Sequence, residues 1–172
     1  DALAKSALEQ GYPHIFVAGG DGTVSKVASA LIGKEASLGI IPLGTANALA
    51  CCLYGEGVRI DPIRVASRHL LSGHTRSIDA AKWDHGHFFL LAGVGFEAGM
   101  IAHASRESKD EKGVVAYLLG GLQQIDQQEK FDLELQVDEQ CHHYRTGSVV
   151  VSNAAPFSSV LAQGNGVPDY TD

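Results

Sequence analysis

Hydrophobic and polar positions predict two strand–turn–helix units in the first fifty residues. The apolar run Ile15–Ala18 has no polar alternation, which is typical of a parallel strand covered on both faces. A glycine cluster follows it, and then the helix-like segment Val24–Ile32. Residues 37–50 repeat this layout with an apolar strand, a glycine turn and a helix. Because this spacing predicts a βαβ unit with parallel strands, we expect both glycine turns at the same edge of one sheet.

The remaining pattern predicts a helical start and a β-rich second half. Asp61 and Pro62 are typical of a helix N-cap and first turn, and Gly73 of a helix end. From about residue 75 the pattern changes to alternating strands, so we predict an α/β domain at 1–74 and a β-rich domain at 75–172. The other predicted elements are a helix at 1–10, a hairpin at 77–91, a helix at 113–130, and strands at 131–137 and 141–153.

The first glycine loop, Gly19-Gly20-Asp21-Gly22-Thr23, has the features of a phosphate site. A glycine turn that leads into a helix presents unpaired N–H groups and the positive end of the helix dipole to an anion. The lysine of a Walker A loop is absent, and so is the third glycine of a dinucleotide fingerprint. Asp21 would repel a phosphate directly, so it is either a metal ligand or a turn residue bonded to its own backbone.

The second glycine loop, Pro42-Leu43-Gly44-Thr45-Ala46-Asn47, strengthens the phosphate-site interpretation. Ligands of open α/β sheets bind at the carboxyl ends of strands, where both loops are expected. Thr45 and Asn47 offer a hydroxyl and an amide group for nucleotide contact. The same two residues are also good helix N-caps, and the sequence leaves both roles open.

Together these two loops resemble the diacylglycerol kinase catalytic domain family, which includes bacterial lipid kinases and sphingosine kinases. The later segment Ala92-Gly93-Val94-Gly95-Phe96-Glu97-Ala98 is similar to the lipid kinase branch. The first loop alone is shared with NAD kinases. The resemblance implies an α/β nucleotide domain followed by a β-sandwich-like domain, with the active site between them.

The resemblance also implies a reaction and its residues. It implies transfer of the γ-phosphoryl group of ATP to a lipid hydroxyl of the diacylglycerol or sphingosine type, with Mg²⁺. The nucleotide would contact both loops, and the metal would be held by carboxylates. The implied nucleotide-binding residues are Gly19, Gly20, Asp21, Gly22, Thr23, Gly44, Thr45 and Asn47; the implied metal ligands are Asp21, Asp79, Asp169 and Asp172.

Some features depart from the family pattern. Lys26 stands where the family usually has Glu, and Ala48 where it often has Asp. We also expect a first strand before residue 1 and a general base beyond residue 172, so these 172 residues alone are expected to be inactive. The alternatives are an NAD kinase-type enzyme for a small metabolite and a non-catalytic nucleotide-binding or regulatory module.

Composition narrows the cellular setting. The net charge is −7, without a basic stripe, which argues against nucleic acid as a partner. No apolar run approaches the ~20 residues of a membrane span, and cysteines without a disulfide framework suit a reducing cytoplasm. We therefore expect a cytoplasmic protein that either meets its lipid substrate peripherally at the membrane surface or takes it from a carrier. The oligomeric state stays open, with a homodimer as one option.

Cysteine and histidine positions do not predict a metal centre. Three cysteines, Cys51, Cys52 and Cys141, form no disulfide framework. His85 with His87, and Cys141 with His143, each place two ligands on one strand face, but zinc needs three or four. Surface or turn histidines are therefore the preferred interpretation.

Overall fold

A computed structural model of the chain describes residues 2–95, 130–155 and 170–171. By compactness the chain divides into a first unit, Asp1–Leu91 with Ser152–Asp172, and a second unit, Ala92–Val151. The domain boundary expected near residue 75 stays a prediction, since compact units need not be domains that fold separately.

The described residues contain four α-helices, one short 3₁₀ helix at Glu56–Arg59 and eight strands. The helices are α1 Ala2–Glu9, α2 Asp21–Leu31, α3 Ala48–Tyr54 and α4 Pro62–Ser72. The strands are β1 His14–Gly19, β2 Ser37–Pro42, β3 Ala81–Trp83, β4 Gly86–Phe88, β5 Leu91–Gly95, β6 Phe131–Val137, β7 Gln140–Thr146 and β8 Ser148–Ser152.

The predicted βαβ unit is present. Strands β1 and β2 pair in parallel, from His14 opposite Ser37 to Gly19 opposite Pro42, and α2 connects them. This register brings the two strands to an end together. The residues that follow each strand therefore leave the sheet side by side at its carboxyl edge.

The core of the first unit has two clusters of buried apolar residues, and both include residues of β1. In the larger cluster, Val17 and Ile40 lie with Val24 of α2, Val58 of the 3₁₀ helix and Phe89, among others. Burial removes these apolar side chains from water, which is the main stabilising contribution to such a unit.

The expectation that β1 is covered on both faces is wrong. Ile15 and Val17 are buried, but the alternate residue Phe16 is 60% exposed. The reason is the position of α4, which packs on β2, with Leu70 close to Gly39. The Phe16 ring lies over the same glycine, so it sits at the edge of the covered surface rather than under a helix.

Helix α4 begins and ends as its sequence predicts. The Asp61 carboxylate accepts a hydrogen bond from the Arg64 N–H, Pro62 occupies the first turn, and Gly73 ends the helix with φ 69°. An Asp N-cap satisfies a backbone donor that the helix itself cannot, and a left-handed C-terminal residue favours glycine.

The predicted hairpin at 77–91 is shorter than expected. Only Ala81–Trp83 and Gly86–Phe88 pair, in antiparallel register. The segment before β3 has other partners: the Asp79 N–H donates to the Tyr170 carbonyl oxygen at 2.8 Å, and the Asn153 side chain donates to the Asp79 carbonyl oxygen. Bonds to residues distant in sequence replace the expected strand ladder.

The second unit is β-rich in the part that the structure describes. Strand β6 pairs antiparallel with β7, and β5 pairs with β8. The expectation of one strand at 141–153 is wrong, because the chain bends at Gly147. There the Thr146 hydroxyl donates to the Ser148 carbonyl oxygen and accepts from the Ser148 N–H, which interrupts the strand. The helix expected at 113–130 lies outside the described residues, except for Lys130, and a sandwich arrangement stays a prediction.

Candidate functional site

The two glycine loops lie against each other at the carboxyl edge of the β1–β2 pair. The Leu43 N–H donates to the Gly19 carbonyl oxygen at 3.0 Å, which extends the parallel ladder beyond the strands. A methyl group on Gly20 would lie 3.0 Å from the Gly44 Cα atom, and one on Gly44 would lie still closer to Gly20. The loops are thus in backbone contact, at a separation that only glycine permits at these two positions.

Asn47 holds the second loop in shape. Its side-chain oxygen accepts from the Gly44 N–H at 2.7 Å, and its amide nitrogen donates to the Gly44 carbonyl oxygen at 2.8 Å. The residue is 9% exposed and has a left-handed backbone, φ 48°. It stands at the N-cap position of α3, but its side chain makes no capping hydrogen bond. Both ends of the amide are therefore used to close the loop, a role that the sequence did not predict.

Asp21 connects the first loop to α3. Its carboxylate Oδ1 accepts a hydrogen bond from the Leu49 N–H at 3.1 Å, so the side chain caps the helix that follows the second loop. The sequence left two roles open for Asp21, a metal ligand or a turn residue bonded to its own backbone. The structure adds a third role, because the carboxylate places its negative charge at the positive end of the α3 dipole.

Gly22 and Thr23 lie in the first turn of α2, in different environments. The Thr23 Cβ atom lies 2.9 Å from the position that a Cβ atom on Gly19 would occupy, so the two residues are in close contact. Gly22 is exposed, and apart from its chain neighbours and the backbone of its own helix no atom of the described residues lies within 4 Å of the position of its absent Cβ. Its φ lies outside the left-handed range, so neither backbone strain nor crowding within the described residues requires glycine there.

The structure locates the two departures from the family pattern. Lys26 is exposed on α2. Ala48 is the first residue of α3, directly before the Leu49 N–H that Asp21 caps. The first turn of α3 has no acidic residue of its own, and the carboxylate that contacts it is that of Asp21.

Of the predicted metal ligands, Asp21 lies in the first loop, whereas Asp79 lies between α4 and β3. Asp169 and Asp172 lie outside the described residues. The Asp79 backbone is bonded to Tyr170 and Asn153. A shared metal site for these four carboxylates stays a prediction.

Tyr170 is a structural residue that sequence reasoning missed. Its hydroxyl donates to the Cys52 carbonyl oxygen at 2.8 Å and accepts from Arg76 at 3.1 Å, and the Arg76 guanidinium lies 5.3 Å from the ring centroid. Arg76 also donates to the Leu53 carbonyl oxygen. Tyr170 is thus hydrogen-bonded to the end of α3 through its hydroxyl and to Asp79 through its backbone carbonyl.

Neither cysteine of α3 is suited to nucleophilic chemistry. Burial raises the pKa of the Cys52 thiol to about 11 and also raises the pKa of Cys51. Because the thiolate is the reactive form, both side chains behave as small hydrophobic residues at neutral pH.

Comparison with known proteins agrees with this geometry. Residues 1–83 match the sequence pattern of the diacylglycerol kinase catalytic domain. The resemblance to that family is confirmed. Both glycine loops and all of α1–α4 lie within the matched residues.

Individual relatives extend the likeness beyond residue 83. An uncharacterized protein of Synechocystis sp. is 42% identical across 98% of this chain, which is 39% of its own length. A probable lipid kinase, YegS-like, of Pseudomonas putida is 35% identical across 78% of this chain and 44% of its own length. A diacylglycerol kinase structure from Bacillus anthracis matches with a TM-score of 0.63 at 27% identity, over 87% of this chain and 48% of that one. The chain spans less than half the length of each.

Substitution by alanine should change the stability of the chain differently at two glycines, one inside the loop contact and one outside it. Gly44→Ala should destabilise the chain by roughly 1–3 kcal/mol, because the new methyl group meets the Gly20 backbone, which cannot move aside as a side chain can. Gly22→Ala should be neutral or slightly stabilising, since it adds helix propensity in open space. Chemical denaturation of the two variants measures the difference. Equal stability of the two variants would contradict the loop contact.

Proposed function

We propose that the two glycine loops bind the phosphates of ATP, and that the chain is the nucleotide-binding part of a kinase that phosphorylates a lipid hydroxyl. The residues proposed to contact the nucleotide are Gly19, Gly20, Gly22 and Thr23 of the first loop with Gly44 and Thr45 of the second. Asp21 would take part through the metal ion, and Asn47 by holding the second loop in shape. The resemblance to the diacylglycerol kinase catalytic domain supports the kinase class.

The observation that carries the nucleotide site is the open space beside Gly22. Gly22 lies in the first turn of α2 without a left-handed φ, and the described residues give no packing reason for glycine there. A ligand that approaches the backbone closely is a physical reason to keep the side chain absent. No side chain of the N-cap residue Gly20 caps α2. Because a helix N-terminus favours negative charge, that ligand is best an anion.

Asp21 fits a magnesium ion between protein and phosphate. One carboxylate oxygen, Oδ1, caps α3, and a carboxylate can accept further bonds through its second oxygen. Carboxylate oxygens are the hard ligands that Mg²⁺ prefers. We propose Asp79, Asp169 and Asp172 as the other carboxylates that hold the ion, whose chemical contribution is to offset charge on the phosphates.

The lipid acceptor is proposed from relatives and not from geometry. The Pseudomonas putida relative is named a probable lipid kinase and the Bacillus anthracis structure a diacylglycerol kinase. Among the described residues no helix has the length and apolarity needed to cross a membrane. We propose that the protein meets its lipid at the membrane surface from the cytoplasm.

Gly22→Ala tests the nucleotide site directly. ATP with Mg²⁺ should raise the melting temperature of the unmodified chain, and the shift should be lost in Gly22→Ala although that variant is at least as stable without nucleotide. Ser29→Ala, on the exposed surface of the same helix, is the matched control and should keep the shift. An unchanged ATP shift in Gly22→Ala would refute phosphate contact at this loop.

Two substitutions at Asp21 separate its capping role from its proposed metal role. Asp21→Asn keeps an oxygen that accepts from the Leu49 N–H, so stability should change little, but the dependence of ATP binding on Mg²⁺ should disappear. Asp21→Ala removes both and should also lose about 1 kcal/mol of stability. Calorimetric titration of ATP with and without Mg²⁺ gives the comparison. Unchanged Mg²⁺ dependence in Asp21→Asn would remove this carboxylate from the metal site.

Transfer of labelled γ-phosphate from ATP to diacylglycerol or sphingosine in mixed micelles tests the reaction. The assay uses the protein extended to the full length of its relatives, because the chain spans less than half of the length of each. Lipid should become labelled, and Gly22→Ala should abolish the labelling. ATP binding without labelling of either lipid would favour the non-catalytic module instead.

A further inference from the structure

One face of the β6–β7 hairpin carries three metal-binding side chains, apart from the glycine loops. The register places Glu134 directly opposite His143, and Cys141 two residues before His143 on the same strand. Side chains two residues apart point to the same face, and directly opposite residues share it. One ligand atom from each of the three lies within 4.8 Å of the other two.

We propose that Glu134, Cys141 and His143 bind a zinc ion on this hairpin. The Cys141 sulfur lies 3.7 Å from His143 Nε2. In a tetrahedral site with Zn–S of about 2.3 Å and Zn–N of about 2.0–2.1 Å, these two atoms would be separated by about 3.6 Å. The pair therefore already has nearly the spacing of two zinc ligands before any metal binds.

The kinds of donor select the metal. Thiolate and imidazole suit zinc and other borderline transition metals, whereas Mg²⁺ and Ca²⁺ require oxygen ligands. Three protein ligands leave the fourth tetrahedral position for a water molecule. On binding, the Cys141 thiol gives its proton to solvent and the sulfur donates an electron pair to the metal, with no change of oxidation state.

The surroundings leave the three ligands accessible. All three residues are exposed, so a hydrated ion can reach them from solvent. Among the described residues of the hairpin, Arg145 is the one cationic side chain on this face. Its Nη1 atom lies 3.6 Å from the Oδ1 atom of Asp132 on the paired strand.

The metal would connect the two strands of the hairpin, because Glu134 lies on β6 and the other two ligands lie on β7. Its binding would therefore stabilise their pairing.

Metal titration of the whole chain under reducing conditions tests the site. Calorimetry with ZnCl₂ should give saturable binding of one ion with a rise in melting temperature, and an excess of MgCl₂ or CaCl₂ should not displace the zinc. Cobalt(II) in place of zinc should give the charge-transfer absorption of a cobalt–thiolate bond. This result would also separate the site from the magnesium site proposed at the glycine loops.

Single substitutions identify the ligands. Cys141→Ser should abolish the cobalt–thiolate absorption, and Cys141→Ser, His143→Asn and Glu134→Gln should each lose the high-affinity zinc binding. His142→Asn is the matched control, because His142 lies on the opposite face of β7 near Tyr144 and should not affect binding. Circular dichroism without metal should be the same for all variants. Zinc binding that is absent from the unmodified chain, or retained in any of the three ligand variants, would overturn the proposal.

Discussion

The backbone contact between Gly20 and Gly44 is the constraint on which the candidate site depends. It brings the turns after two parallel strands together without any side chain between them. Two further connections lie beside that contact: the Asp21 carboxylate accepts from the Leu49 N–H, and the Asn47 amide closes the second loop on Gly44. These hydrogen bonds fix the side chains of Asp21 and Asn47 before a ligand arrives. Binding then costs less conformational entropy.

The fold around the loops followed from local patterns in the sequence. Unbroken apolar runs, glycine turns and helical periodicity predicted the parallel pair β1–β2 and helices α1–α4, because each signal lies within a few residues of the element it determines. The exposure of Phe16 and the bend at Gly147 were not predicted. The first depends on where α4 packs, and the second on a side-chain hydrogen bond from Thr146.

The connections within the site could not be read from the sequence for the same reason. Asp21 and Leu49 are 28 residues apart, and Arg76 and Tyr170 are 94 residues apart. Glycine-rich composition predicts a turn and an anion site, but the partner of each side chain depends on strand register and helix position. The sequence therefore predicted which residues belong to the loops, but not that Asp21 caps α3 or that Asn47 closes its own loop.

The β6–β7 hairpin shows how register changes the interpretation of a sequence. Cys141 and His143 formed a pair without a third ligand as long as their own strand was considered alone. The turn at Asp138 and Glu139 fixes the register that brings Glu134 opposite His143, and the cluster then has three donors. A tight turn between two alternating segments was the signal in the sequence from which this pairing could have been inferred.

The most direct test of the account is a crystal structure of the chain with a non-hydrolysable ATP analogue and Mg²⁺. The account predicts phosphate oxygens within hydrogen-bonding distance of the backbone N–H groups of the first glycine loop. It also predicts a phosphate in the open space beside Gly22 and the metal bound to Asp21. A nucleotide bound elsewhere, with the space beside Gly22 empty, would contradict the central claim that the paired glycine loops form the phosphate site.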